Sequence, residues 1–409
     1  MKLLISAYAC RPNMGSEPAV GWNWVTELNK HHDLVVLTNY TNKKYIEKYE
    51  KEHRDELKNI RFLYIRPNEK LTFWYKEWER MERIYYYLWQ RKAYKLAKQL
   101  VKNESFDWVQ HLTYVTCIIP TFMHKLEIPF IYGPISGGEK IPKVIKYPMS
   151  KKDKIIEKIR NATMIIPKIS INTKKAFKKS KKIIVVTEDT KSLVPKKYWD
   201  KVEIFQAIGI NDCFLEPTPK FIKTDVCKVL IAGRMLPWKG FEVGIAATVK
   251  ALNRGAAIEL TVLGNGDDFY LQKIKKYAEE YVDKQIKFIK FVKYTEMKEF
   301  YGNFDVLLNC SLRDSGCLVL MEGMSRGLPV ICVNTGGPKV NTSEDCAIKI
   351  EPKNFKDMVE ELGNALYILA NNPDIRISMA KRSYEHASMN FRNTKKIEKI
   401  LTIYTENRF

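Results

Sequence analysis

Apolar positions along the chain alternate between two textures. Short runs rich in β-branched residues occur at 2–7, 34–38, 61–65, 108–111, 129–132 and 182–187, and again at 228–232, 258–263, 286–292, 306–309, 330–333 and 347–350. Between them lie longer stretches with apolar residues at steps of three and four, among them 20–30, 81–101, 240–254, 268–281, 317–326 and 354–371. Continuous apolar strands separated by amphipathic helices predict parallel sheets covered on both faces, so each half reads as a Rossmann-like α/β unit. The seam falls near 207–219, where AIGINDCFLEPTP has no period and contains two prolines. A first domain over 1–207, completed by a C-terminal helix within 386–409, and a second over 208–385 are expected. No repeat of ~20–50 residues is visible, which excludes a solenoid.

Length agrees with two domains, since 409 residues exceed the ~250–300 at which single cores stop growing. No uncharged apolar run approaches the ~18 residues of a membrane span. The opening MKLLISAYACRP is too short in its apolar part for a secretory leader and reads as a buried first strand. Eight cysteines are scattered without any Cys-x-x-Cys, which argues against a zinc site and a disulfide framework and fits a reducing cytosol. The formal charge is +22, and residues 140–182 hold 15 Lys and Arg against 2 Asp and Glu, so this tenth of the chain carries more than half of the excess. Such a segment attracts nucleic acid, an anionic membrane face or a phosphorylated substrate.

The candidate chemistry is densest in the second half. KVLIAGRMLPWKG (228–240) reads as a strand, a turn with Arg234 and Lys239, and a helix opening near Gly240. Ligands of doubly wound sheets sit beyond the carboxyl ends of strands, where both cations would meet an anion such as phosphate. Two solvated surface cations would look the same. NCSLRDSGCLVLMEGMSRG (309–327) reads as a strand end, a small-residue loop and a helix, with Asp314 before the helix and Glu322 within it. Free amides at such a helix start favour an anion, and an acid on each flank can grip sugar hydroxyls. In the plainer alternative Asp314 caps the helix and Glu322 is a surface charge.

Taken together, Gly233-Arg234 with Lys239-Gly240, the Gly264-Asn265-Gly266 turn, Asp314 with Glu322 and the downstream Gly336-Gly337 resemble the retaining glycosyltransferases of family four. GSEPAVGWNW (15–24), QHLTYVT (110–116) and GPISGGEKIP (133–142) are similar to the branch that builds bacterial surface polysaccharides. The resemblance implies the GT-B architecture, two Rossmann-like domains with a cleft between them, and a UDP- or GDP-linked sugar as substrate without a further cofactor. It implies that Arg234 and Lys239 bind the donor diphosphate and that Glu322 holds the ribose. Asp314, with the backbone of Ser315, Gly316, Cys317 and Leu318, would hold the donor sugar. Gly233 and Gly264 would also bind the donor, and the stretch 291–295, Val292 within it, would provide main-chain contacts to the base. Gly15, Ser16 and Glu17 would approach the phosphate from the first domain, and His111, after the fourth strand, would lie against the sugar. His111, Asp314, Arg234 and Lys239 form the expected catalytic set. Two positions depart from the family pattern. Asp314 stands where Glu is usual, shortening the reach, and Lys290 stands where glycine is usual, reshaping the base pocket.

No Asp-x-Asp occurs, which removes the obvious divalent-ion anchor, so a metal-independent reaction is expected. A stripe of Trp74, Trp78, Met81, Tyr85 and Leu88 flanked by Lys and Arg reads either as an interfacial helix or as an ordinary helix packed on a sheet. With the basic 140–182 segment, it leads to the expectation of a cytoplasmic protein held peripherally on the inner face of the cell membrane. The acceptor would then be a saccharide, lipid-linked. A nucleotide-sugar enzyme without transfer, such as an epimerase, is a second reading. A nucleic-acid-binding protein is a third, and no reading motif accompanies it.

Overall fold

The computed structural model describes residues 1–68, 81–206 and 209–406. The chain divides into two compact units: one of 1–138, 160–209 and 393–409, the other of 139–159 and 210–392.

In the first unit seven strands form a parallel sheet in the order β3-β2-β1-β4-β5-β6-β7. They are β1 (Lys2–Ala7), β2 (Asp33–Asn39), β3 (Ile60–Ile65), β4 (Trp108–Thr113), β5 (Phe130–Ile135), β6 (Ser180–Val185) and β7 (Val202–Ile204). Helices α1 (Ser16–Leu28), α2 (Lys43–Glu52) and α3 (Glu82–Asn103) connect the early strands. Helix α4 (Lys151–Thr163) follows β5. In the second unit six parallel strands run β10-β9-β8-β11-β12-β13. These are β8 (Cys227–Ala232), β9 (Ile258–Leu263), β10 (Ile286–Ile289), β11 (Val306–Asn309), β12 (Val330–Val333) and β13 (Ala347–Ile350). Around them lie α5 (Phe241–Asn253), α6 (Leu318–Ser325), α7 (Gly336–Asn341) and α8 (Phe355–Asn371), while α9 (Asn393–Glu406) returns to the first unit.

The strand order of each sheet reverses once, between β1 and β4 and between β8 and β11. Loops diverge at such a point and leave a crevice beyond the carboxyl ends of the strands. Both sheets are buried on two faces, which is why their strands are continuous apolar runs.

Several expected boundaries shift. Strand β10 stops at Ile289, opposite the last residue of β9, Leu263, so 290–293 has no neighbour to pair with and forms a loop. The helix expected over 268–281 breaks at Glu279, whose φ is 50°. Strand β7 has three residues, too few to show a pattern. Residues 139–159, expected in the first domain, group with the second unit. There Tyr147 hydrogen-bonds the buried Glu242, and Lys273 reaches both Glu242 (2.9 Å) and the Pro148 carbonyl (2.9 Å). The return to the first unit begins at Asn393 rather than 386. Along α9, Ile397, Ile400, Ile403 and Tyr404 are buried, and the Tyr404 hydroxyl hydrogen-bonds Gln110 of β4.

Of the aromatic stripe, Trp74 and Trp78 lie outside the described residues. The rest favours the plainer alternative, because Tyr85 is buried with Tyr86 and Trp89 of α3 in the core of the first unit. Helix α4 is different. It buries none of its residues, and Ile155, Ile156 and Ile159 are 57%, 48% and 60% exposed among lysines.

Candidate functional site

In the second unit β8 runs into Gly233, whose φ of 150° favours glycine. The chain then passes Arg234 and a short turn, Pro237–Lys239, to Gly240, which starts α5 in the left-handed region at φ 69°. Two of these glycines are fixed by close backbone approach. A Cβ on Gly264 would lie 2.0 Å from the Gly233 carbonyl oxygen, and one on Gly240 would lie 2.1 Å from that of Cys310. The loop after β8 is therefore pressed against the loop after β11, and the Leu312 amide donates to the Trp238 carbonyl (2.9 Å).

The Lys239 ammonium forms an ion pair with the Asp314 carboxylate, both largely shielded from water. Burial opposes the lysine's charge, but the Asp314 carboxylate beside it outweighs this and its pKa rises above the usual value. Arg234 is exposed, close enough for its charge to bear on Lys239, and has no carboxylate partner among the described residues. Asp314 is not a helix cap: α6 opens from Cys317, in the left-handed region at φ 51°, with no side-chain cap. An uncapped helix start beside two cations is suited to an anion. The Gly336-Gly337 pair holds the loop's shape, since Gly337 donates to the Asp314 carbonyl (2.7 Å) and a Cβ on Gly336 would lie 2.2 Å from that oxygen.

Glu322 is not a surface charge. It is 4% exposed in α6, one oxygen accepts from the Tyr301 hydroxyl (2.9 Å), and the other is buried with no well-formed hydrogen bond among the described residues, although the Tyr294 hydroxyl bears on the carboxyl. Burial pushes its pKa up to about 7, against the pull of the Tyr301 and Tyr294 hydroxyls. A buried acceptor without a well-formed hydrogen bond is where a ligand hydroxyl belongs.

The same pKa sets a pH dependence of stability. Unfolded, Glu322 ionises near ~4.3, whereas folded it holds its proton to about 7, so the native state binds more protons between those values and stability falls as pH rises through that window. Half-buried Glu17, also pushed up to about 7 by burial, acts in the same direction. Urea unfolding should show wild type losing on the order of 3 kcal/mol more than Glu322→Gln between about pH 5 and about pH 7.5. Equal losses in the two proteins would contradict this.

In the first unit the expected residues cluster near the carboxyl ends of β1 and β4. Gly15 precedes α1 with an ordinary φ of −83°, so no left-handed backbone demands glycine there. Ser16 has φ 62°, and a Glu17 oxygen accepts from the Val115 amide (2.7 Å). His111 lies within β4, not after it, and is 1% exposed. Its Nε2–H donates to the Tyr114 carbonyl (3.1 Å), and burial pushes its pKa down to about 4, so the imidazole is neutral at pH 7. Val292 lies in the loop after β10, beside the largely exposed Phe291.

Three partners have no signal in the sequence. Arg313 stacks on Trp238 (4.2 Å to the ring centroid) and pairs with Glu157 (2.9 Å), 156 positions away. Tyr301 and Tyr294 are positioned by the strand order and not by any spacing to Glu322.

Two Rossmann-like units in one chain define the GT-B class of fold. Residues 216–385 match the model of the family described as glycosyl transferases group 1. Protein CapJ of Staphylococcus aureus is 24% identical over 139 residues, 34% of this chain and 34% of CapJ. The chain matches about a third of the length of such curated relatives. Among solved structures, a glycosyltransferase from Rickettsia africae ESF-5 aligns over 99% of this chain and 98% of its own at TM-score 0.66 and 16% identity. Anabaena Alr3699/HepE in complex with UDP and glucose aligns over 99% and 100% at TM-score 0.64 and 13% identity. Among the described residues no group of His, Cys, Asp and Glu is arranged to hold a metal ion, and no helix is long and apolar enough to cross a membrane.

Proposed function

We propose that the protein is a retaining glycosyltransferase. It moves a sugar from a UDP- or GDP-linked donor in the second unit to a saccharide acceptor taken by the first, without a metal. The observation that carries this reading is the Lys239–Asp314 ion pair beside Arg234, which has no carboxylate partner among the described residues, at the point where the strand order reverses. The group 1 family match and the UDP-bound relative support the donor class.

In glycosyl transfer, negative charge builds on the departing diphosphate while the sugar becomes oxocarbenium-like. Cations already fixed at the diphosphate stabilise that charge without reorganising. In the empty site Asp314 neutralises Lys239. A bound donor divides the pair, the ammonium turning to phosphate and the carboxylate accepting from a sugar hydroxyl, while the buried Glu322 carboxyl holds a ribose hydroxyl. His111, neutral, buried and held by the Tyr114 carbonyl, positions the loop after β4 rather than acting as a base. With the acceptor attacking from the face the diphosphate leaves, the leaving phosphate takes the acceptor's proton and the anomeric configuration is kept. The test is NMR of the product formed from UDP- and GDP-sugars with chelator present. Transfer with an unchanged anomeric configuration is expected; inversion, or loss of transfer on chelation, would overturn the corresponding part.

The acceptor we propose is lipid-linked, in surface-polysaccharide synthesis at the inner face of the cell membrane. Helix α4, with its uncovered isoleucines among Lys151, Lys152, Lys154 and Lys158, supports this, since each basic residue near an anionic surface contributes ~1 kcal/mol. Flotation with anionic vesicles, lost on neutral ones, weakened by salt and by Ile155→Glu with Ile159→Glu, is expected. Indifference to lipid charge would remove this part.

A further inference from the structure

A cavity that the donor chemistry leaves unused lies in the first unit, beside the carboxyl ends of β1 and β2. It is a half-open cavity of about 270 Å³ between the β1–α1 loop and one face of α2. Arg11 is its best-fixed group. Its Nε donates to Asn42 Oδ1 (3.2 Å), a terminal nitrogen reaches the Thr41 carbonyl (3.4 Å), and its guanidinium lies 4.1 Å from the centroid of the Tyr45 ring. Asn42 is in turn buried, donating to the Tyr8 carbonyl and to Thr38 Oγ1, each at 3.0 Å. The cation is thus held by the sheet itself and not by a mobile surface contact.

A guanidinium carries five N–H groups, and those not used on Asn42 and Thr41 have no protein acceptor among the described residues. Lys48, on the same face of α2, lines the cavity without a carboxylate partner among those residues, and Lys44 lies 4.8 Å from the centroid of the Tyr45 ring. Glu52 lines the cavity as well. A bare anion would meet the repulsion of that carboxylate, whereas a sugar ring bearing one anionic group satisfies both ends: the anion on Arg11 and Lys48, a hydroxyl donating to Glu52. The volume lies just under the ~300–1,000 Å³ of sites for drug-sized ligands, so it takes one ring and not an extended polymer.

We propose that this cavity is an acceptor subsite that holds a single acidic sugar residue, carrying either a carboxylate or a phosphate. That it serves the acceptor rests on the transfer reading above; that it binds an acidic sugar does not.

The test is calorimetric titration of the full chain with glucuronic acid, glucose 6-phosphate, glucose and inorganic phosphate, and separately with UDP and GDP. At least one acidic sugar should bind about tenfold more tightly than glucose or inorganic phosphate. Arg11→Ala should weaken it by about tenfold, the loss expected for hydrogen bonds to a charged group. The two acidic sugars tell a carboxylate from a phosphate. Lys48→Ala, on the exposed face of α2, is the second variant should Arg11→Ala unfold. Acidic sugars binding no better than glucose, inorganic phosphate binding as well as they do, or both variants keeping wild-type affinity would overturn the proposal. A wild-type chain that binds an acidic sugar but neither nucleotide would sink the donor reading and leave the sugar site standing.

Discussion

Alanine at Lys239 lowers turnover at saturating donor by about 10²–10³-fold, equivalent to ~3 kcal/mol in the barrier. The size follows from what the side chain does in each state. In the empty site it is paired with Asp314, and dividing that pair offsets part of what the ammonium contributes to ground-state binding. As the diphosphate departs, the same ammonium meets a growing negative charge in a site shielded from water. Its removal also leaves the Asp314 carboxylate uncompensated beside that charge. Lys239→Ala with Asp314→Asn should therefore lose less than the two single variants together, because the second change removes the charge exposed by the first. Arg234→Ala should show a comparable turnover loss with little change in stability, since Arg234 is exposed and pairs with no carboxylate among the described residues. Steady-state kinetics at saturating donor, with unfolding curves for each variant, separates these effects. Wild-type turnover in both alanine variants would contradict the assigned roles.

Alanine at Gly240 destabilises the second unit by about 3–5 kcal/mol. Its φ of 69° strains any side chain by ~1–3 kcal/mol, and its Cβ would sit 2.1 Å from the Cys310 carbonyl oxygen, a backbone atom that no rotamer change can move. Gly255 gives the control. Its φ of 85° is equally left-handed but its Cβ would meet nothing within 4 Å, so Gly255→Ala costs the backbone strain alone, about 1–3 kcal/mol. Urea unfolding of the two variants side by side checks the difference. Equal losses would mean that the loops after β8 and β11 are not pressed together.

Most of the strands were legible because a parallel strand buried on both faces must be apolar throughout, and such runs need no partner to be seen. The 286–292 run overshot for a related reason. Phe291 and Val292 look like strand residues, but only the length of the neighbouring strand decides where pairing stops, and β9 ends at Leu263. The second-unit site was legible as residue types at strand ends, and the strand order brings Arg234, Lys239 and Asp314 to the same place. What the sequence could not show is how they are used. The ion pair between Lys239 and Asp314 joins residues 75 positions apart. Glu322 looked like a grip for hydroxyls or a surface charge, and only its burial, working against the Tyr301 hydroxyl, shows why its pKa is pushed up to about 7. His111 was placed after its strand because the apolar run ends there, whereas hydrogen bonding carries β4 on to Thr113. The grouping of 139–159 with the second unit depends on Tyr147 finding Glu242, a contact between residues 95 positions apart.

Calorimetric titration of UDP and GDP into the wild-type chain and the Lys239→Ala and Arg234→Ala variants decides whether the second unit receives a nucleoside diphosphate. Binding by wild type of at least one of the two, with chelator present, weakened in both variants, is the predicted result. Unchanged affinity in both variants, or no binding of either nucleotide to the wild-type chain, would contradict it.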